Sequence, residues 1–345
     1  MDLEALNKVA TAIVAPGKGI LAADESTGTI KKRFDTIDVE STETNRRDYR
    51  ELLFRTETAM RENISGVILF DETIRQNAAD GTPLVKLIQD AGSIPGIKVD
   101  KGAKALAGAP GETVTEGLDG LRERLKEYYD LGARFAKWRA VIDIGREGDE
   151  TVPSGYCIST NAHALARYAA LCQEANIVPI VEPEVLMDGD HDIGRCYDVT
   201  EFTLKSLFDE LYAQDVELEG TILKPNMVIA GKKCPTQASV EEVAEMTVKC
   251  FRSAVPAGLP GIVFLSGGQS DEEATAHLNA MNAGYADKMP WGVSFSYGRA
   301  LQASTLKAWS GDAANVPAAQ AAFAHRAKMN GLAQLGRWNT SLEAA

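Results

Sequence analysis

The chain has 345 residues, of which 45% are hydrophobic and 25% charged, the balance of an ordinary globular protein long enough to bury a large core. Its 36 basic and 49 acidic side chains leave a formal charge of −13, which argues against nucleic acid or an anionic membrane as the main partner, because both call for a positive face. The five cysteines (Cys157, Cys172, Cys196, Cys234, Cys250) include no C-x-x-C pair, and Met1–Glu4 does not open a secretory leader; both features read as a cytoplasmic protein.

A helical pattern over Ala5–Val14 comes first. Short apolar runs then recur at Gly19–Asp24, Gly66–Phe70, Gly96–Asp100, Phe135–Val141, Ile177–Glu182, Thr221–Lys224, Gly261–Leu265 and Gly292–Phe295. They are nearly continuous rather than alternating, as parallel strands covered on both faces should be. Helical stripes fill the intervals. Gly117–Leu131 places Leu118, Leu121, Leu125 and Tyr129 on one face, and Thr200 opens a helix with Leu204, Leu207 and Leu211 inward. Ser239-Val-Glu-Glu242 and Ser270-Asp-Glu-Glu273 predict capping boxes before two more. The stretch Ser253–Ser270 is uncharged but broken by Pro256 and Pro260, so it predicts no membrane span.

Eight strands alternating with helices fit a closed (β/α)8 TIM barrel better than an open sheet, because eight units go once around. The expected organisation is a single domain over residues 1–345. The barrel occupies about 15–310, with an extra N-terminal helix before it and a C-terminal helix near Ala318–Ala333 within the last segment.

In such a barrel the chemistry sits where strands end. The polar residues there are Asp24, Asp71, Lys101, Lys137 with Arg139, Glu182 with Glu184, Lys224, Ser266 with Gly267, and Arg299. Lysine and glutamate are almost never buried without a partner, so their convergence on one mouth is the informative feature. Lys224 and Lys137 flank Glu182 in strand order. A nucleophilic lysine, a cationic neighbour that activates it and a carboxylate that moves protons describe Schiff-base chemistry on a carbonyl. Ser266-Gly267-Gly268 offers backbone N–H groups beside a helix start, and with Arg299 on the next strand it predicts a phosphate site.

Other signals carry less. Gly17-Lys-Gly19-Ile-Leu-Ala22 matches a dinucleotide fingerprint, but a helix precedes it and a strand follows, the reverse of what that motif needs. Asp188-Gly-Asp190-His-Asp192 opens like a calcium loop, yet Ile193 and Val199 stand where glycine and glutamate belong, so it reads as a loop with helix-capping acids. His163, His191, His277 and His325 lack ligand spacing, and neither a metal nor a cofactor is expected.

Seven motifs together resemble the class I fructose-bisphosphate aldolases over about residues 10–335. They are Leu21-Ala-Ala-Asp-Glu-Ser-Thr-Gly28, Ile97-Lys-Val-Asp-Lys-Gly102, Phe135-Ala-Lys-Trp-Arg139 and Val181-Glu-Pro-Glu184, followed by Leu223-Lys-Pro-Asn-Met-Val228, Phe264-Leu-Ser-Gly-Gly-Gln-Ser270 and Phe295-Ser-Tyr-Gly-Arg-Ala-Leu-Gln302. The resemblance implies a metal-free barrel, usually a homotetramer. Such an enzyme reversibly cleaves fructose 1,6-bisphosphate to dihydroxyacetone phosphate and glyceraldehyde 3-phosphate in glycolysis or gluconeogenesis. It implies that Lys224 forms the imine, Glu182 dehydrates the carbinolamine with Glu184 and Lys137 tuning it, and Asp24 takes the C4 hydroxyl proton. Ser266, Gly267 and Arg299 would hold the C1 phosphate, and Ser26, Thr29 and Lys101 the C6 phosphate, with Arg139 in the same cluster.

Two departures stand out. The tail ending in tyrosine of animal members has no counterpart in Ser341–Ala345, which leaves the donor for late enamine protonation open, and Asp71 stands where histidine is expected. Two other readings stay open: a different imine-forming barrel of the transaldolase or deoxyribose-phosphate aldolase kind, and a non-catalytic sugar-phosphate-binding scaffold. Two separated anion sites weigh against the first, and the full set of Lys224, Glu182, Asp24 and Lys137 against the second.

Overall fold

Eight parallel strands close on themselves in the structure, a computed structural model that describes residues 1–145 and 152–344. They are β1 (Gly19–Ala23), β2 (Ile64–Leu69), β3 (Ile94–Lys98), β4 (Phe135–Ile142), β5 (Val178–Val185), β6 (Ile222–Leu223), β7 (Gly261–Phe264) and β8 (Gly292–Tyr297). Each pairs in parallel with its chain neighbours, and β8 returns to β1 through Ile20 opposite Ser296. This is the (β/α)8 barrel expected from the spacing of the apolar runs.

The period-two geometry of a strand explains how one sequence builds both the core and the site. On β1, β4, β5 and β6 the residues Ile20, Ala22, Phe135, Val178, Ile180 and Ile222 face inward and form a buried cluster with Ile68 and Val263. The next residues of the same parity, further along each strand, are Asp24, Lys137, Glu182 and Lys224. Each strand is therefore apolar at the bottom of the barrel and charged at the top. The opposite parity (Leu21, Ala23, Ala136, Trp138, Val181, Leu223) packs against the surrounding helices in a second, larger core. Phe135 fills the barrel centre because β2 and β3 offer glycine there: a Cβ on Gly96 would lie 2.1 Å from its ring.

The N-terminal helix (Leu3–Ile13) closes the bottom, inserting Leu6, Ala10 and Ile13 into the inner cluster. The C-terminal helix runs from Val316 to Gln334 and packs on the helix Arg299–Trp309. No helix among the described residues is long and apolar enough to cross a membrane.

Several helix starts differ from expectation. The helix placed at Gly117 begins at Leu121, because Gly120 sits in the left-handed region (φ 66°) and breaks the pattern. The helix expected to open at Thr200 begins at Ile193, where Asp192 accepts the Arg195 N–H at 2.8 Å; the Asp-rich loop does supply a cap. Ser270 forms the full capping box with Glu273, whereas Ser239 only accepts the Glu242 N–H at 3.2 Å, so that box is one-sided. A short antiparallel hairpin (Ala103–Ala105 with Thr113–Thr115) between β3 and β4 went unread, being too short and polar to show a period.

Candidate active site

A cavity of about 340 Å³ opens at the end of the barrel where the strands finish. Its floor is a run of buried ions. The β5 side chain of Glu182 lies between two lysines, with Oε1 3.2 Å from Lys224 Nζ and Oε2 3.1 Å from Lys137 Nζ. Lys137 Nζ also lies 2.7 Å from Asp24 Oδ2, just beyond β1. Lys137, Lys224 and Glu182 are each at most 4% exposed, so their charges answer one another rather than water. Above them Glu184 pairs with Arg139, whose backbone N–H reaches Asp100 Oδ2 at 3.3 Å.

The parallel registers produce this layering. Arg139 lies opposite Glu182, whereas Lys98 lies opposite Lys137 and Val141 opposite Glu184, so β3, β4 and β5 bring their charged residues to successive levels of the same mouth. Strand β6 is only two residues long, yet Lys224 keeps a ladder bond, its N–H donating to Val181 O at 2.8 Å. The buried Asn226 fixes the turn that follows. Its Oδ1 accepts the Val185 N–H at 3.0 Å and its Nδ2 donates to Thr200 Oγ1 at 3.1 Å.

The electrostatics follow from those distances. Burial works to raise the Asp24 carboxyl, but Lys137 and Lys224 outweigh it and hold the group well below the usual carboxylate range. Burial likewise opposes ionisation of Glu182, and Lys137, Lys224 and Arg139 overcome it. Burial would lower Lys137, yet Asp24 and Glu182 raise it above the ordinary lysine value. Lys137 is thus a fixed cation between two carboxylates.

Two anion-receptive poles flank this floor. One is the loop Ser266–Ser270, followed by the helix Asp271–Tyr285 and faced by Gly298 and Arg299; Ser266, Gly267, Gly268, Gly298 and Arg299 line the cavity. Gly268 takes φ +81°, and a Cβ there would collide with Met187 Cγ at 2.2 Å, so the turn requires glycine. Arg299 Nη2 donates to Gln269 O at 3.2 Å, tying the two strand ends together. The other pole is the start of the helix Thr27–Asp35, where Ser26 Oγ accepts the Thr29 N–H at 3.4 Å and both hydroxyls lie 3.1 Å apart. Ser26, Thr29, Arg33 and Lys98 line the cavity as well, and Arg33 reaches toward the first pole, where a Cβ on Gly298 would lie 3.5 Å from its Nη2.

Of the residues expected from sequence, Asp24, Ser26, Thr29, Lys137, Arg139, Glu182, Glu184, Lys224, Ser266, Gly267 and Arg299 all line the one cavity. Lys101 does not. Strand β3 ends at Lys98, Asp100 Oδ1 accepts the Gly102 N–H at 3.1 Å, and Gly102 turns the chain at φ +87°, which carries an exposed Lys101 into the hairpin. Lys98 faces the cavity in its place. It shares the inward parity of Ile94 and Gly96, and that parity was the signal that would have found it. Arg33, Glu25 and Ser296 were also missed. Arg33 lines the cavity paired with the buried Glu25, which itself lines the wall and accepts from Gln302 Nε2 at 3.0 Å; no strand-end rule reaches a helix that folds over β1. Asp71 is absent from the cavity: it opens the short helix Asp71–Ile74 and binds Arg75 and the Tyr128 hydroxyl, the latter at 2.9 Å.

Known proteins match this arrangement along the whole chain. The family model for class I fructose-bisphosphate aldolase matches residues 5–345. A probable fructose-bisphosphate aldolase class 1 from Xanthomonas campestris pv. campestris is 65% identical over 339 residues, covering 98% of this chain and 99% of its own. Fructose-bisphosphate aldolase C from Carassius auratus is 55% identical over 336 residues, covering 97% and 91%. A solved structure of fructose-bisphosphate aldolase from Plasmodium falciparum, in complex with TRAP and a small-molecule inhibitor, has a TM-score of 0.94 at 49% identity, covering 98% and 96%. Family, relatives and structural neighbour agree with one another, and the chain belongs to the class I fructose-bisphosphate aldolases, a family of lyases.

Proposed function

We propose that this enzyme cleaves fructose 1,6-bisphosphate reversibly through an imine on Lys224. The observation that carries the reading is Glu182, buried 3.2 Å from Lys224 Nζ and 3.1 Å from Lys137 Nζ, where one carboxylate reaches both the nucleophile and the fixed cation. Lys224 adds to the ketone carbon and its shed proton passes to Glu182. That proton neutralises the oxygen to give the carbinolamine, and a second one, taken up by Glu182 from solvent, lets the oxygen leave as water, so that the positively charged imine remains. Asp24, held ionised by Lys137, accepts the C4 hydroxyl proton as the C3–C4 bond breaks. The bond's electron pair moves into the imine, giving an enamine, and the aldehyde departs. A proton on C3 and a water molecule then release dihydroxyacetone phosphate and regenerate the amine. The imine is the electron sink, so the step calls on no metal ion and no cofactor.

The two poles suit a substrate with a phosphate at each end. The Ser266–Gly267 loop with Arg299 takes the phosphate next to the ketone, and Ser26, Thr29 and Lys98 take the far one, with Arg33 between the two. Glu184 holds Arg139 at the rim, where its side chain is 40% exposed and free to meet substrate. We extend the reading to a cytoplasmic homotetramer acting in glycolysis or gluconeogenesis.

The test is Lys224→Met, which replaces the amine by an apolar chain of similar length. It should keep the thermal midpoint within a few degrees and lose cleavage by more than about a thousandfold, the scale of removing a covalent nucleophile. Cleavage within tenfold of the parent enzyme would refute the imine.

A further inference from the structure

The helix that follows the phosphate loop reaches back to it twice. Glu273 accepts the Ser270 N–H at 2.8 Å, and one turn later the His277 ring meets Gln269, Nδ1 to Oε1, at 2.6 Å. His277 and Gln269 are 7% and 5% exposed, and burial pushes the imidazole down to about 4, so the ring is neutral near pH 7. An amide oxygen can only accept, so His277 carries its proton on Nδ1 and donates. The same Gln269 turns the loop through its N–H, which donates to Ser266 O at 3.2 Å, and its carbonyl accepts Arg299 Nη2 at 3.2 Å. A chain of hydrogen bonds thus runs from His277 through both ends of Gln269 to the guanidinium facing the cavity. None of the mechanism uses His277, which lies outside the cavity lining.

We propose that His277 is a positioning residue for the phosphate beside the ketone: by fixing the Gln269 side chain it sets the Gln269 carbonyl, and the carbonyl sets Arg299. This rests on assigning that phosphate to the Ser266–Arg299 pole. Losing the tether leaves Arg299 free to leave its phosphate-facing rotamer without disturbing Lys224. The loss should therefore appear as weaker binding of phosphorylated ligands, with little change once they are bound.

The experiment measures the concentration giving half-maximal borohydride trapping for two ketones, dihydroxyacetone phosphate and dihydroxyacetone. His277→Leu should weaken the phosphorylated ketone about tenfold, the scale of one lost charge-directing hydrogen bond, and leave the other within about twofold. His277→Asn, whose amide nitrogen falls where the ring Nδ1 lies, can still donate to Gln269 and should restore most of the difference. His277→Met, of similar volume and without a donor, serves in place of the leucine variant if that variant does not fold. Equal shifts for both ketones, or no shift, would overturn the proposal when Arg299→Ala still discriminates between them. Failure of Arg299→Ala to discriminate would instead remove the phosphate assignment and this inference with it.

Discussion

Lys98 and Lys101 sit three residues apart, and only one of them enters the site. Lys98→Ala should raise KM for fructose 1,6-bisphosphate roughly tenfold to a hundredfold, as for loss of one charged phosphate contact. Lys101→Ala should leave both kcat and KM within about twofold. Steady-state kinetics of the two variants check this, and the reverse ranking would contradict the geometry. Lys137 makes a second case. Replacing it by methionine leaves Asp24 and Glu182 buried without the cation between them, which should destabilise the protein by about 3–5 kcal/mol. The deficit has a defined pH dependence. In the parent, both carboxyls lie below their ordinary values of 3.8 and 4.5, so their contribution is present above that range and lost as pH falls through the lowered values. In the variant burial is opposed only by Lys224, with Lys98 at Asp24 and Arg139 at Glu182, so the carboxyls should rise, folding should take up protons, and the deficit should shrink between pH 7 and pH 5. Denaturant unfolding at the two pH values measures it; a deficit that grows on acidification would be the wrong sign. Most of the floor was legible because lysine and glutamate on barrel strands have few other reasons to exist. Arg33 and Glu25 were not, since nothing local says that the helix Thr27–Asp35 leans over the mouth.

Among the elements, the strands were readable because each opens on a short, mostly apolar run, and β1 through β8 begin at or within two residues of the starts of those runs. Helix starts were less so, because a left-handed Gly120 and a capping Asp192 override the apolar stripe by a turn or more. The helix Asp271–Tyr285 also has a tether that its own sequence does not announce. Arg326 of the C-terminal helix donates to Asp271 O at 3.2 Å and to Thr275 Oγ1 at 2.7 Å, and pairs with Glu343. Trp338 Nε1 donates to the same carboxylate at 2.8 Å. The final turn is thus docked on the C-terminal helix through Arg326, which itself reaches the helix that follows the phosphate loop. Trimming residues 341–345 should leave Arg326 buried without its counter-ion. We expect a loss of about 1–3 kcal/mol, and Glu343→Ala should reproduce it. An unchanged thermal midpoint in both would show that the docking contributes nothing.

At the scale of the molecule, one parity rule builds the barrel: inward residues fill the lower core and then, one or two steps higher, supply the charges. The N-terminal helix seals the lower end, so the only deep opening to the charged floor among the described residues lies where the strands finish. In the proposed reading a bisphosphate lies across that mouth with its ketone over Lys224. If the imine takes up the electrons of the broken bond, as proposed, incubation with EDTA followed by assay in metal-free buffer should leave the cleavage rate unchanged. Loss of cleavage restored by zinc would point to a different mechanism.

The central claim is that Lys224 is the nucleophile, and the most direct measurement is borohydride reduction in the presence of dihydroxyacetone phosphate, with peptide mass mapping of the product. The account predicts a single stable adduct on the peptide containing Lys224, and none in the Lys224→Met variant. An adduct mapped to Lys137, Lys98 or any other lysine, or no adduct in an active enzyme, would contradict it.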